Sequence, residues 1–170
     1  MRRPTFPAFR QLTDRPRRPV ASLAFLALLL AACRGEPDTP DGQIRALVAR
    51  AKSAAEEQDI AALRDMISER YDDAEDNDKR ALTAIVAYHL MRNSSIHLFA
   101  QVSRIDLAEA GRAAAVVYVA MGARPIPSVD ALGGLRADIY RFDLHLAEES
   151  PGDWKLLGAE WRPADLEDLR

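Results

Sequence analysis

A chain of 170 residues with 26 acidic and 23 basic side chains has a net charge of −3, which gives no basic surface for a phosphate backbone. Its single cysteine closes no disulfide within the chain and, without companions, makes no thiolate metal site. Nothing repeats at a fixed period, so solenoids and propellers are excluded as well.

The first 32 residues read as a leader. Arg15, Arg17 and Arg18 precede an apolar run over 20–32 that only Ser22 interrupts, the layout of a secretory signal peptide and too short for a bilayer span of roughly 20 apolar residues. The run closes on Leu30-Ala31-Ala32-Cys33. A small-residue site ending in cysteine resembles the lipobox of bacterial lipoproteins. The resemblance implies that residues 1–32 are removed and that Cys33 is lipidated as the new N-terminus. Residues 33–170 then keep 17 basic against 25 acidic residues, so nucleic acid is not an expected partner. Cys33 is followed over 34–41 by RGEPDTPD, which has no large apolar side chain and reads as a flexible tether reaching about 25 Å at roughly 3.1 Å per extended residue. In the lipoproteins it resembles, a residue other than aspartate after the cysteine directs transfer to the outer membrane. Arg34 therefore implies a lipid-anchored protein of the cell envelope, on the outer membrane and facing the periplasm.

The folded domain is expected over 42–170, as one unit with one core. Ile44, Leu47, Val48, Ala51 and Ala55 recur at helical spacing and predict an amphipathic helix of about four turns. Asp59 is placed to cap a second helix carrying Ile60, Leu63, Met66 and Ile67, which ends near Ser68. The acidic stretch 69–78, ERYDDAEDND, lacks the alternation, the glycine and the closing glutamate of a helix-loop-helix calcium loop, so no calcium is expected there. Asp76 or Asp78 instead caps a third helix over 79–91, whose buried stripe is Leu82, Ile85, Val86, His89 and Leu90.

After Asn93-Ser94 the apolar period changes from 3.6 to 2. Ile96, Leu98, Ala100 and Val102 alternate with His97, Gln101 and Ser103, and a turn at Gly111 leads to 113–121, apolar on both faces. Pro125, Pro127, Gly133 and Gly134 make 122–134 a long loop, of the kind that often serves as a lid. Over 136–147, Tyr140, Phe142, Leu144 and Leu146 point one way, and Arg141, Asp143 and His145 the other. A turn at 150–153 leads to a last strand over 154–162 that Pro163 stops, and 165–170 is a helical stub or a frayed end. The fold class is α+β: three N-terminal helices packed on a curved four-stranded antiparallel sheet.

The succession QIRALVARAKSAAEEQDIAALRDMIS, DIYRFDLHL and DWKLLGAEWRP resembles the nuclear-transport-factor-2-like superfamily over about 43–163. That superfamily includes ketosteroid-isomerase-like and dehydratase enzymes beside many non-catalytic domains, so the resemblance implies a cone-shaped fold around one pocket but not one activity. Isomerases of the family have an aspartate ahead of an aromatic-arginine-phenylalanine strand, the protonated half of their oxyanion hole, and Asp138 matches it. Their oxyanion tyrosine lies eight residues before the aspartate opening the second helix, where this chain has Ala51. Their general base sits on a hairpin that shrinks here to Tyr71-Asp72-Asp73.

His89, Tyr118, Asp138 and Tyr140 are the candidate pocket residues. No catalytic motif, metal triad or cofactor motif is present, so no metal and no cofactor is implied. Asp143 and His145 share a strand face, which predicts a solvated or subunit-contacting pair rather than a catalytic dyad. The expected function is a non-catalytic envelope lipoprotein whose cone or outer sheet face binds a small apolar molecule or a protein partner. The alternative is a dehydratase- or isomerase-type enzyme with Asp138, Tyr118 or His89 as acid-base groups. Two explanations fit the apolar outer face of 113–121. Either two copies pair there as a homodimer, Arg141 meeting Asp143 across the axis near Trp154 or Trp161, or the 122–134 loop or the C-terminal segment covers it within one chain.

Overall fold

Helix α1, Pro40–Glu56, starts two residues before the expected boundary, because Thr39 and Pro40 form a helix start rather than the end of a tether. The Thr39 hydroxyl accepts from the Gly42 amide at 3.2 Å, and Pro40 stands in the first turn, where its missing N–H costs nothing. A computed structural model describes residues 39–93, 95–134 and 137–169; the expectations for the leader, Cys33 and residues 34–38 of the tether lie outside them. Asp59 caps α2, Ile60–Asp65, by accepting from the Ala62 amide at 2.9 Å. Asp78 caps α3, Lys79–Arg92, through the Ala81 amide at 2.7 Å. Asp76 takes no part in that cap and stands in the left-handed region at φ 60°.

The acidic loop before α3 is organised by Asp73, whose carboxylate accepts from the amides of Glu75 and Asn77, from the Asn77 side chain and from the Tyr71 hydroxyl. Burial would raise this carboxyl, but those hydrogen bonds together hold it below the ordinary range. The Tyr71 hydroxyl is pushed up by burial and by its bond to Asp73. Among the described residues no three His, Cys, Asp or Glu side chains come together in a group able to hold a metal ion.

Four strands, β1 His97–Ala108, β2 Arg112–Gly122, β3 Asp138–Ser150 and β4 Asp153–Pro163, pair antiparallel in sequence order. Each outer strand carries a bulge that reverses its alternation. In β1 the register slips between Val102 and Arg104, so Leu98 and Ala100 face inward before the slip and Ile105 after it. In β4 the slip lies opposite His145 and Leu146, so Trp154 and Leu156 face inward before it and Ala159 and Trp161 after it. Trp154 and Trp161 are thus both on the inner face, against the expectation that one of them would join the outer patch.

The chain after α2 runs along the edge of β4. Leu156 donates its amide to the Met66 carbonyl, and the amides of Ser68 and Asp72 donate to the carbonyls of Leu156 and Leu157, all within 3.0 Å. These bonds protect an otherwise open edge. Glycine at 158 permits the approach, since a Cβ there would lie 2.9 Å from the Asp72 carbonyl oxygen.

Helix α1 packs across the inner face, where Ile44 and Leu47 join Ala113, Ala115, Leu146 and Trp154 in the main core. The Trp154 indole donates to Gln43 Oε1 at 3.0 Å, so its polar edge is satisfied as it is buried. The outer face is covered by the chain itself. Ile126, the short helix α4 (Val129–Leu132) and a C-terminal 3₁₀ turn (Leu166–Leu169) pack on Tyr118 and Ala120 with Phe99, Val116 and Ile139 around them. The expected lid therefore turns over the outer face and not across the cone. It accounts for the apolar outer side of 113–121 without a second copy.

Candidate functional site

Between α3 and the inner face of the sheet lies a pocket of about 760 Å³, within the usual range of roughly 300–1,000 Å³ for small-ligand sites. Helix α3 packs chiefly on α2. Only Leu82 and Leu90 of its apolar stripe are buried, and Ile85 and Val86 border open space instead of a strand. The cavity exists because this helix stands off the sheet.

The walls are graded along β3. Leu146, at 2 % exposure, lies at the buried end; Leu144, Phe142 and Tyr140 follow, and Asp138 stands exposed at the strand's first residue. Across from Phe142 on β4, Trp161 brings its ring to 6.5 Å from the phenylalanine ring. Every buried side-chain nitrogen and oxygen among the described residues has a hydrogen-bond partner. The floor of the pocket, by Leu144 and Leu146, is aliphatic, and the polar side chains of the lining, His89, Asp138 and Tyr140 among them, lie away from it.

Three of the four candidate pocket residues, His89, Asp138 and Tyr140, do line this pocket. Tyr118 does not. Alternation along β2 sends Val117 and Val119 inward and Tyr118 outward, where it is buried under Ile126, α4 and the 3₁₀ turn and its hydroxyl approaches Arg141. His89 is exposed rather than part of a buried stripe, its ring edge-on to Tyr88 at 5.7 Å, because the face it shares with Leu82 and Val86 meets the cavity. Neither the Asp138 carboxylate nor the His89 imidazole has a hydrogen-bond or ion-pair partner among the described residues. Ala51 lines the pocket where the resembled isomerases carry their oxyanion tyrosine.

Helical spacing places Lys52 and Glu56 on the outward face of α1, yet Lys52 lines the wall of the pocket. Lys52, one turn before Glu56 on α1, donates to its carboxylate at 2.6 Å, and the second Glu56 oxygen accepts the Leu98 amide at 2.8 Å. Burial alone would raise the Glu56 carboxyl, but the bonds from Lys52 and Leu98 and the charges of Lys52 and His97 together hold it below the ordinary range. This closed pair ties α1 to the start of β1. The i, i+4 spacing of Lys52 and Glu56 was visible in the sequence, but the Leu98 amide was not.

On the outer face, Arg141 makes a forked pair with Asp143 of its own strand, at 3.0 Å from Nε and 2.5 Å from its terminal nitrogen. The contact expected across a dimer axis is made within one chain. His145, two residues on, is exposed. The Arg141 hydrogen bond, opposed by partial burial and aided by the charges of Arg141, Arg162 and Arg104, holds the Asp143 carboxyl below its ordinary range.

No family model matches the chain, and no curated protein matches it by sequence. Solved structures do match. Bd1075 of Bdellovibrio bacteriovorus superposes with a TM-score of 0.54 at 13 % identity over 72 % of this chain, which spans only 40 % of that protein. A dehydratase candidate of the nuclear-transport-factor-2-like family from Streptomyces avermitilis superposes with a TM-score of 0.58 at 16 % identity, covering 76 % of this chain and 99 % of its own. A ketosteroid-isomerase-like protein from Erwinia carotovora atroseptica gives 0.52 at 12 % identity, covering 72 % and 94 %. Identities this low speak for the fold alone. The chain has the nuclear-transport-factor-2-like fold, with its four antiparallel strands curved around an apolar cavity.

Proposed function

We propose that this protein is an envelope lipoprotein, anchored through Cys33, whose cone binds a small apolar molecule without transforming it. The observation that carries the binding reading is the cavity of about 760 Å³, lined predominantly by aliphatic and aromatic side chains. Transfer of apolar surface into such a site is favourable by roughly 25 cal/mol per Å². Acid-base catalysis needs a polar group within hydrogen-bond reach of the proton it moves and usually a second to hold the developing charge. Here the tyrosine position is Ala51, Tyr118 lies on the far face, and Asp138 and His89 stand in solvent. The dehydratase or isomerase alternative rests on those last two groups and on the names of two structural neighbours.

The anchoring part rests on Leu30-Ala31-Ala32-Cys33, and Arg34 supports an outer-membrane position facing the periplasm. Labelled palmitate should be incorporated by the wild type and not by Cys33→Ser, and the unlabelled variant should leave the membrane fraction. A wild type that stays unlabelled and soluble after export ends that part. For the binding part, solvent extraction of protein purified from its native envelope should release an apolar molecule in near-stoichiometric amount, chemically unchanged after prolonged incubation with the protein. Recovery of a converted product would favour the enzyme.

A further inference from the structure

Among the described lining residues, the charges, taken one by one, leave a single unmatched group at the rim. Three of the described lining residues carry full charges: Lys52, Arg64 and Asp138. Lys52 is neutralised by Glu56 at 2.6 Å. Arg64 is mostly in solvent beside Asp65 at 3.8 Å. Asp138 has no partner among the described residues, and the only other titratable side chains of the lining are His89, from the last turn of α3, and Tyr140. Among the described residues, the open end of the cone thus presents a carboxylate without a partner.

Directly inward of that carboxylate on the same strand face come Tyr140 and Phe142, with Trp161 across from Phe142 and 40 % exposed. An anion above a collar of aromatic rings is suited to a cation, since ring faces attract ammonium groups and the carboxylate adds a direct pair. It would repel a carboxylate or sulfate head. Below the collar the walls are aliphatic, with Leu144, Leu146, Val117 and Leu156, so a ligand group lodged there is best one that needs no hydrogen bond.

Resting on the apolar-ligand reading above, we propose that the cone selects a single-chain amphiphile, its alkyl tail among Leu144, Leu146 and their neighbours and a cationic amine or ammonium head between the aromatic collar and Asp138. The ligand class is set by two separate features: the aliphatic interior suits a hydrocarbon tail, and the rim suits a positive head. Ligand polarity thus runs from rim to floor along β3.

The test uses the full chain carrying Cys33→Ser, loaded with the neutral fluorophore N-phenylnaphthylamine and challenged, below their micelle thresholds, with dodecyltrimethylammonium, dodecanol and dodecyl sulfate. The expected order is the ammonium first, then the alcohol, then the sulfate, with roughly tenfold between the first two from the ion pair and ring contacts combined. Asp138→Asn should still bind the fluorophore, which reports an intact cone, and should bring ammonium and alcohol together; Asp138→Glu should restore the order. If the fluorophore binds but the three compounds compete equally, or the sulfate wins, or Asp138→Asn keeps the preference, the head-group proposal is overturned while the apolar-ligand reading stands. If the fluorophore does not bind at all, both fall.

Discussion

The two faces of one sheet are both apolar along β2, yet one is closed and the other is left open. On the outer side, Tyr118 and Ala120 are sealed by Ile126, Leu132 and Leu169 of the same chain. On the inner side, Val117 and Val119 face a cavity that α3 borders without filling. The difference lies in the covering element. A short helix and a 3₁₀ turn drape on the outer face, whereas α3 is held off by its packing on α2 and by Gln58, whose side chain donates to the carbonyls of Leu90 and Asn93 at the helix's C-terminal end. The same residue types make a core where the cover touches and a cavity where it stands away.

If that comparison is right, substitutions on the two faces separate stability from binding. The largest stability effect should come from Leu146→Ala at the closed floor of the inner face, where only 2 % of the residue is exposed; loss of its packing should cost about 2–5 kcal/mol in chemical denaturation. Leu169→Ala, at the end of the outer cover, removes a buried side chain from a peripheral cluster and should cost less, about 1–2 kcal/mol, with apolar-probe affinity unchanged. A fall in probe affinity for that variant as large as the fall in stability would show that the faces are not independent.

The outer face's charged strip gives a smaller effect with a definite sign. Asp143 and Glu149 are held below the ordinary carboxyl range, Asp143 first by the Arg141 bond and Glu149 first by the Ser68 hydroxyl at 2.6 Å. A folded-state pKa below the unfolded value means stability that is fully present above about pH 4 and is lost as pH falls through the depressed values. Thermal melting should be level from pH 7 to about 5 and decline below about 4. Asp143→Asn should differ from wild type at neutral pH and converge with it in acid; a gap that widens in acid would contradict the assignment.

The fold could be read because the signals that set it are local. Asp59 and Asp78 cap the helices they precede, and the alternation over Tyr140, Phe142 and Leu144 names the inner face of β3. What escaped the sequence reading was non-local. Trp154 and Trp161 are seven positions apart, so strict alternation would put them on opposite faces; a bulge in the strand between them puts both inside. Tyr118 looked like a pocket residue only because both faces of β2 are apolar, and the register that turns it outward depends on the Val119–Tyr140 and Val117–Phe142 pairings with β3. His89 follows the helical stripe as expected, but whether a stripe meets core or cavity is decided by how far α3 stands from the sheet, which no periodicity records.

The most direct test of the central claim is a titration of the full chain carrying Cys33→Ser with N-phenylnaphthylamine, in parallel with Val119→Trp and Leu169→Ala. Val119 lines the cavity on its inner side, so a tryptophan there should fill the space and weaken the probe at least tenfold while stability changes by only about 1 kcal/mol, because the added ring enters a void and not a packed core. The account predicts saturable one-to-one binding that Val119→Trp removes and Leu169→Ala keeps. Binding that survives Val119→Trp, or that Leu169→Ala abolishes, would place the site on the outer face and contradict it.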